Sequence, residues 1–392
     1  MATALKSVTP IAREVPHTVS PGLWALAWKR LKSDHVGMVS LAIVVAFIAL
    51  MILSGTGLVA RDWNREIGVN YAPPSFIGAD VEAGAPAAPE SQPAAPAPAS
   101  EYKSSVVDPL ADVLAEIRGE KAAAGAAAGA DEAKTVDPLA DVMADIRAGE
   151  KGRKGEVVEA RAATLPFGGD KWGRDIVKKT IKGSETSIFV GLASAAVAVF
   201  LGTVMGAFAG YYGKWVDDFF NWFYSIFSSI PYLLLILAVA AVLQQKGMLT
   251  IILILGLTGW TGVFRLIRGE YLKHKAREYV QAADAIGASN ARRMFVHIFP
   301  NVSHVVLVQL SILTVGFIKA EVILSFLGFG VPVDVVSWGS MLNEAQNELI
   351  LGKWWQLVAA TAAMATLVTA FSLFTDALRD ALDPKLKGRM GA

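Results

Sequence analysis

The chain has 392 residues, of which 54% are hydrophobic and 18% charged, and its mean hydropathy is +0.45. A water-exposed globular surface does not sustain that apolarity, so a soluble fold is excluded and a bilayer is the expected solvent. A net charge of +1 without a basic, aromatic-interleaved stripe excludes nucleic acid as a partner, and the lack of cysteine excludes disulfides and thiolate metal sites.

Residues 1–35 read as a cytoplasmic tail. Within it, Leu23 to Leu31 mixes Trp24, Leu26, Ala27 and Leu31 with Lys29 and Arg30, a pattern that suits a helix lying in the membrane interface or a plain juxtamembrane turn. Val36 to Ala60 is the first of six charge-free runs; a helix needs roughly 20 apolar residues to cross a bilayer core. Alternating barrel strands are not seen. The run is too long for a signal's apolar region and is expected to persist as the first transmembrane helix, 36–60.

Residues 61–164 form a periplasmic insert whose middle, Gly78 to Thr164, is rich in Ala, Pro, Glu and Gly and poor in aromatics. Such composition buries too little apolar surface to offset its ordering entropy. It contains a repeat, VVDPLADVLAEIRGEK from Val106 and TVDPLADVMADIRAGEK from Thr135, with Asp108 and Asp137 placed 29 residues apart. Each copy has a capping Asp, a Pro at the first helical position and one apolar stripe. The pair reads either as an acidic linker with nascent helix or as a docking element for a periplasmic partner or the membrane lipid.

The core, 165–384, carries the other five runs: Ser187 to Gly213, Phe219 to Gln245, Gly247 to Phe264, Ile298 to Ile318 and Trp354 to Thr375. Residues 385–392 form a short tail. Lys and Arg cluster around residues 29–32, 265–293 and 379–389, whereas the short loops on the other side hold only Lys246 and Lys353. Positive residues stay on the cytoplasmic side, so both termini are expected there. Gly202, Gly206 and Gly210 share one helix face and permit close helix packing or a place on a translocation path. Pro231 should kink the third span. Lys319 and Glu321 fall in the fifth apolar region, where ionisable groups are costly, and their spacing puts them on different faces. The Lys319 ammonium is expected to snorkel towards the outer interface.

The loop 270–301 joins the fourth and fifth spans. Within EYVQAADAIGASNARRMFVHIFPN, from Glu278 to Asn301, Ala282 and Ala283 offer a smooth surface, and Gly287 can take positive φ and end a helix. Ser289 can cap a second short helix that stops before Pro300.

This loop resembles the E-A-A, three-residue, Gly loop of ABC-importer permeases, with Gln281 where Glu is usual and Phe299 where Leu is common. FGGDKWGRD (Phe167 to Asp175), SFLGFG (Ser325 to Gly330), SWGSML (Ser337 to Leu342) and DALRDALDPKL (Asp376 to Leu386) are similar to stretches of C-type permeases of the dipeptide, oligopeptide and nickel importer family. Gly169 stands where that family usually has Thr. The resemblance covers Trp24 to Ala60 loosely and Leu165 to Leu386 closely, and it leaves out the insert.

The resemblance implies an all-α, polytopic, six-helix fold of the type I ABC importer permease kind in a bacterial inner membrane. It implies a second, homologous permease, two ATPase subunits, a periplasmic substrate-binding protein and a peptide substrate, with nickel, glutathione or a peptide antibiotic as alternatives. Coupling to the ATPases falls to Glu278, Gln281, Ala282, Ala283, Gly287 and Pro300, with Glu278 one turn before Gln281 as a substitute carboxylate. Pro231, Lys319 and Glu321 are gating or assembly candidates. No catalytic residue, metal site or cofactor is expected in this chain, because no G-x-x-x-x-G-K-[ST] loop occurs and ATP is bound by partner subunits. A secondary transporter would need inverted repeats and midplane carboxylates, whereas charges here cluster outside the spans. A membrane enzyme would need a constellation such as H-E-x-x-H, which is absent.

Overall fold

A computed structural model describes residues 23–78, 161–332 and 334–382. The chain falls into two units, Met1–Ala79 with Ala162–Ala392, and Asp80–Arg161; the described residues other than Asp80–Arg161 belong to the first. Both repeats, the first 22 residues and the last ten lie outside the described residues.

The first unit is helical. An amphipathic α1 (Leu23–Ser33) leads into α2 (His35–Gly55), with Asp34 as the N-cap between them, its Oδ1 accepting from Val36 N at 3.0 Å. Ala27 and Leu31 of α1 are buried against Ala381 and Leu382 near the other end of the chain, while Trp24 and Trp28 are exposed. Helix α2 stops at Gly55, short of the expected Ala60, because Gly57 takes φ +75° and the chain turns.

Helix α3 (Ile176–Tyr212) has 37 residues and spans about 55 Å, well beyond a bilayer core. It starts eleven residues before the apolar run at Ser187 because Asp175 caps it, its Oδ1 accepting from Val177 N at 2.7 Å. The charged first turns therefore project past the apolar layer. Helices α4 (Lys214–Ser228) and α5 (Tyr232–Leu243) meet at 82°, and α6 (Met248–Thr258) and α7 (Thr261–Lys275) at 42°. Pro231 thus breaks its span outright, where a kink was expected. It cannot donate to the ladder, and at ψ 126° it stands as the extended N-cap of α5.

After α8 (Glu278–Ala285) and α9 (Asn290–Arg292), a π-helical turn, Arg293–Ile298, feeds α10 (Phe299–Phe326). Helix α11 (Trp338–Ile350) and α12 (Trp355–Leu382) complete the unit. Among the described residues, four rods, α2, α3, Asn290–Phe326 and α12, are each long and apolar enough to cross a membrane, and the two bent pairs raise the number to six if each is one span. The protein is a multi-pass membrane protein.

Helix α3 is the central post, packed by α7, α10, α6, α2 and α12. Three of its five glycines, Gly202, Gly206 and Gly210, lie against α7. A Cβ at Gly202 would meet Val263 Cβ at 2.6 Å, one at Gly206 Phe264 O at 2.8 Å, and one at Gly210 Arg268 O at 2.6 Å. They let α7 lie directly on α3, which is helix packing.

At the end of α3 remote from α8, the strands of chain on either side of residues 79–161 are knit together. Gly68 N donates to Gly173 O at 2.9 Å, Gly169 N to Ala72 O at 2.8 Å, and Ser75 N to Leu165 O at 2.8 Å. Residues 61–78 and 162–175 thereby form a small cap, held on α12 by Trp355 Nε1 donating to Gly169 O at 2.7 Å.

Candidate functional site

The loop after α7 folds as a knob. Helix α8 ends in a Schellman motif: Gly287 N donates to Asp284 O at 2.8 Å and Ala288 N to Ala283 O at 3.0 Å, with Gly287 at φ +78°. Open space surrounds the position a Cβ would take at Gly287, so the demand for glycine is conformational alone. Val280 and Ala283 are buried, Val280 packing with Tyr271, Met294 and Ile298, whereas Ala282 faces out. The outward surface is made by Glu278, Gln281, Ala282, Ala285 and Ile286. Ile286 is 84% exposed at the tip, an aliphatic side chain in open solvent that the sequence pattern did not single out. Its signal was available: an apolar residue immediately before a helix-ending glycine, off the buried Val280–Ala283 face.

Ser289 caps the next helix, its Oγ accepting from Arg292 N at 3.4 Å. That helix does not stop before Pro300. It widens into the π turn and continues into α10, so Pro300 sits inside one 37-residue rod. Proline lacks an N–H and crowds the preceding turn, and a π turn absorbs both defects without ending the helix. Arg293 pairs with Asp284 and its NH2 donates to Asn290 Oδ1 at 2.5 Å, which clamps α8 to the base of the rod. Tyr211 OH also donates to Asn290 Oδ1 at 3.0 Å, and Lys275 Nζ donates to Tyr211 O at 2.6 Å, tying the knob to the end of α3. Gln281 makes one weak contact, Nε2 to Ala276 O at 3.4 Å, and Glu278 stands exposed one turn away.

Glu321 lies far along the rod and is fully buried. Its Oε2 accepts from Ser187 Oγ at 2.7 Å and its Oε1 from Ser325 Oγ at 2.7 Å; Ser187 Oγ in turn accepts from Trp338 N at 3.2 Å. One carboxylate thus joins α3, α10 and the start of α11. Ser187 and Ser325 were not legible as its partners, since they are distant in sequence or hidden in a motif. Gly330 and Gly339 both press on Ser325, where their missing Cβ atoms would fall at 2.5 Å or less from its side chain. Lys319 is exposed on the opposite face, as its spacing from Glu321 requires.

A second polar cluster occupies the cap. Lys179, buried in α3, donates to Asp170 Oδ2 at 2.8 Å, Glu344 Oε2 at 2.5 Å and Gln356 Oε1 at 3.2 Å. Asp170 Oδ1 also accepts from Trp172 N and Arg174 N, which folds the GDKWGRD turn around it. Glu348 is 2% exposed beside this cluster, and neither of its carboxylate oxygens has a hydrogen-bond partner among the described residues. Burial pushes its carboxyl up to about 7 against the opposing pull of Lys179. Among the described residues no cluster of His, Asp and Glu is arranged to hold a metal ion.

The family described as binding-protein-dependent transport system inner membrane component matches residues 202–388, and the N-terminal TM domain of oligopeptide transport permease C matches residues 22–74. The chain is 36% identical over 221 residues to a dipeptide transport system permease protein of Bacillus subtilis, covering 56% of this chain and 69% of the relative. It is equally similar to an oligopeptide transport system permease protein of the same organism, at 36% over 221 residues, 56% of this chain and 72% of the relative. A glutathione transport system permease protein of Pectobacterium atrosepticum is 34% identical over 221 residues, 56% of this chain and 73% of the relative.

Proposed function

The chain belongs to the family of binding-protein-dependent transport system inner membrane components, and on that premise we propose that it forms half of the path by which an ATP-driven importer admits short peptides. A permease subunit has no catalytic activity of its own. The proposal places it in a bacterial inner membrane with both termini cytoplasmic, beside a homologous permease, above two ATPase subunits and below a periplasmic substrate-binding protein.

The observation that carries this reading is the knob. An exposed face of Glu278, Gln281, Ala282 and Ile286, clamped by Arg293 to a rod of 37 residues, is suited to receive a push at one end and deliver it about 55 Å away. Closure of the ATPase pair on ATP would draw the two knobs together and turn the path from inward-facing to outward-facing, a change between two packed states. Peptide cargo is favoured because the relatives are named for dipeptide, oligopeptide and glutathione transport, and glutathione is itself a peptide.

The test is to purify the assembled complex with its binding protein and identify the released ligand by mass spectrometry. ATPase chains should co-purify and the ligand should be a peptide. A chain that purifies without ATPase subunits and drives uptake alone in vesicles would be a secondary carrier, and nickel or a non-peptide ligand would overturn the cargo.

A further inference from the structure

Beside the buried cluster in the cap, a cavity of about 230 Å³ opens between the GDKWGRD turn, the loop joining α5 to α6, and the start of α11. Among the described residues, four cationic side chains line it, Lys171, Arg174, Lys179 and Lys246, against one carboxylate, Glu344. Lys179 is already satisfied by Asp170 and Glu344. The other three have no such pair of carboxylates, although the Lys171 Nζ lies 3.9 Å from the centroid of Trp172. Lys171 and Lys246 form no ion pair among the described residues, and Arg174 meets Asp170 only through Nε, at 3.1 Å and without the alignment of a hydrogen bond. Its NH1 and NH2 have no acceptor among the described residues.

The Arg174 guanidinium is nevertheless held in place, with its carbon 3.8 Å from the centroid of Trp172 and 5.5 Å from that of Trp63. A planar fork fixed by stacking, with its two outer nitrogens vacant, matches a carboxylate bidentately. Two ammonium groups, Lys171 on the turn and Lys246 on the α5–α6 loop, add charge without geometry. Neighbouring cations on α3 show the contrast, since Lys178 is paired with Asp62 and Lys182 with Glu185. Val331, Pro332, Val335 and Val336 form an apolar part of the remaining wall, with Ser325, Ser340 and Asn343 beside them.

We propose that this cavity is a carboxylate-binding site, filled either by the terminal carboxylate of a short peptide or by an acidic side chain of the substrate-binding protein. The choice between these two sources rests on the importer reading given above, whereas the site itself does not.

The test uses the assembled transporter in nanodiscs, treated with a zero-length carbodiimide that joins a carboxylate to an adjacent lysine amine, followed by peptide mapping. One arm contains trialanine, with trialanine amide as its control; the other contains the binding protein alone. An adduct of trialanine on Lys171 or Lys246 that the amide does not give identifies a peptide carboxylate. A cross-link from either lysine to an Asp or Glu of the binding protein identifies the protein source. Arg174→Gln should lower either yield about fivefold or more, through loss of the bidentate contact, and Lys246→Gln, on an exposed loop that does not threaten folding, should lower it as well. No adduct in either arm, or labelling no greater than at exposed Lys214, would overturn the proposal. Because the adduct is read without turnover, a chain that carries some other cargo still passes or fails the binding-protein arm on its own.

Discussion

Two buried carboxyl groups show how the same residue type does different work according to its partners. Glu321 has a hydroxyl on each oxygen, so its burial is compensated, while Glu348 has none and sits beside Lys179, Glu344, Asp170 and Lys171. The Glu348 carboxyl, pushed up to about 7 by burial, binds its proton more tightly folded than unfolded. Its contribution to stability is therefore complete below the ordinary carboxyl range and is lost as pH rises through about 7. Each unit of such a shift corresponds to about 1.4 kcal/mol, so Glu348→Gln should raise the thermal midpoint of the assembled complex at pH 8 and leave it nearly unchanged at about pH 4, below the ordinary carboxyl value. A midpoint difference that is the same at both pH values would show that Glu348 is not the titrating group. Glu321→Gln keeps one acceptor oxygen but replaces the other, so one of the two hydroxyl bonds, to Ser187 on α3 or to Ser325 on α10, is lost, at a cost of about 1–3 kcal/mol. Assembly or uptake should fall alike for every cargo, measured by complex yield and by competition among peptides. A change in which peptides compete would place Glu321 on the path instead.

At the scale of elements, what could be read in advance was what rests on local chemistry. Four of the six apolar runs fall on long spanning helices and two on the bent pairs, Gly287 located the end of α8, and Ser289 the start of α9, because capping and left-handed φ are properties of one or two residues. What could not be read depends on partners distant in sequence. The length of α3 is set by the Asp175 cap, which lies before the hydrophobic signal begins, and Pro300 is carried by a π turn that no periodicity announces. The glycine stripe on α3 allowed two readings until α7 was seen lying on it. The cap was also illegible, since residues 61–78 and 162–175 have little regular pattern and are held by hydrogen bonds between two stretches separated by the low-complexity segment. That pairing bears on the segment itself. Because the flanks hold each other through Gly68, Ala72, Ser75, Leu165 and Gly173, a chain lacking Val81 to Glu159 keeps the cap's hydrogen bonds. Such a deletion should insert normally and transport at more than about half the parental rate, since tolerance follows the bonding of the affected backbone. If uptake vanishes while insertion survives, the two repeats are a working docking element.

Within the first unit, the knob and the cap lie at opposite ends of the same long helices. Helix α3 and the Asn290–Phe326 rod each span 37 residues, are tied together at one end by Tyr211 and Asn290, and are joined nearer the other by Ser187 and Glu321. On the proposed coupling role, a displacement of α8 would reach α10 through the Asp284–Arg293 pair and the packing of Val280 on Met294 and Ile298. Everything in that chain depends on α8 folding back on the rod, and that depends on Gly287. A β-branched side chain at φ +78° is a severe steric outlier, although the space around it is open, so Gly287→Val should misplace α8 without disturbing the apolar spans. Insertion and yield should survive. Uptake should collapse, and the ATPase subunits should either detach or hydrolyse ATP without responding to loaded binding protein. Gly287→Asn separates strain from contact, because asparagine tolerates left-handed backbone and should retain much of the coupling. Gln281→Glu adds a carboxylate to the exposed face and should be neutral or mildly strengthening, since a charge-assisted contact is about twice as strong as a neutral one. The measurements are substrate-stimulated ATPase and vesicle uptake on the same reconstituted complex. If Gly287→Val couples the two as tightly as the parent, the loop is only a connector, and motion must enter the membrane helices elsewhere.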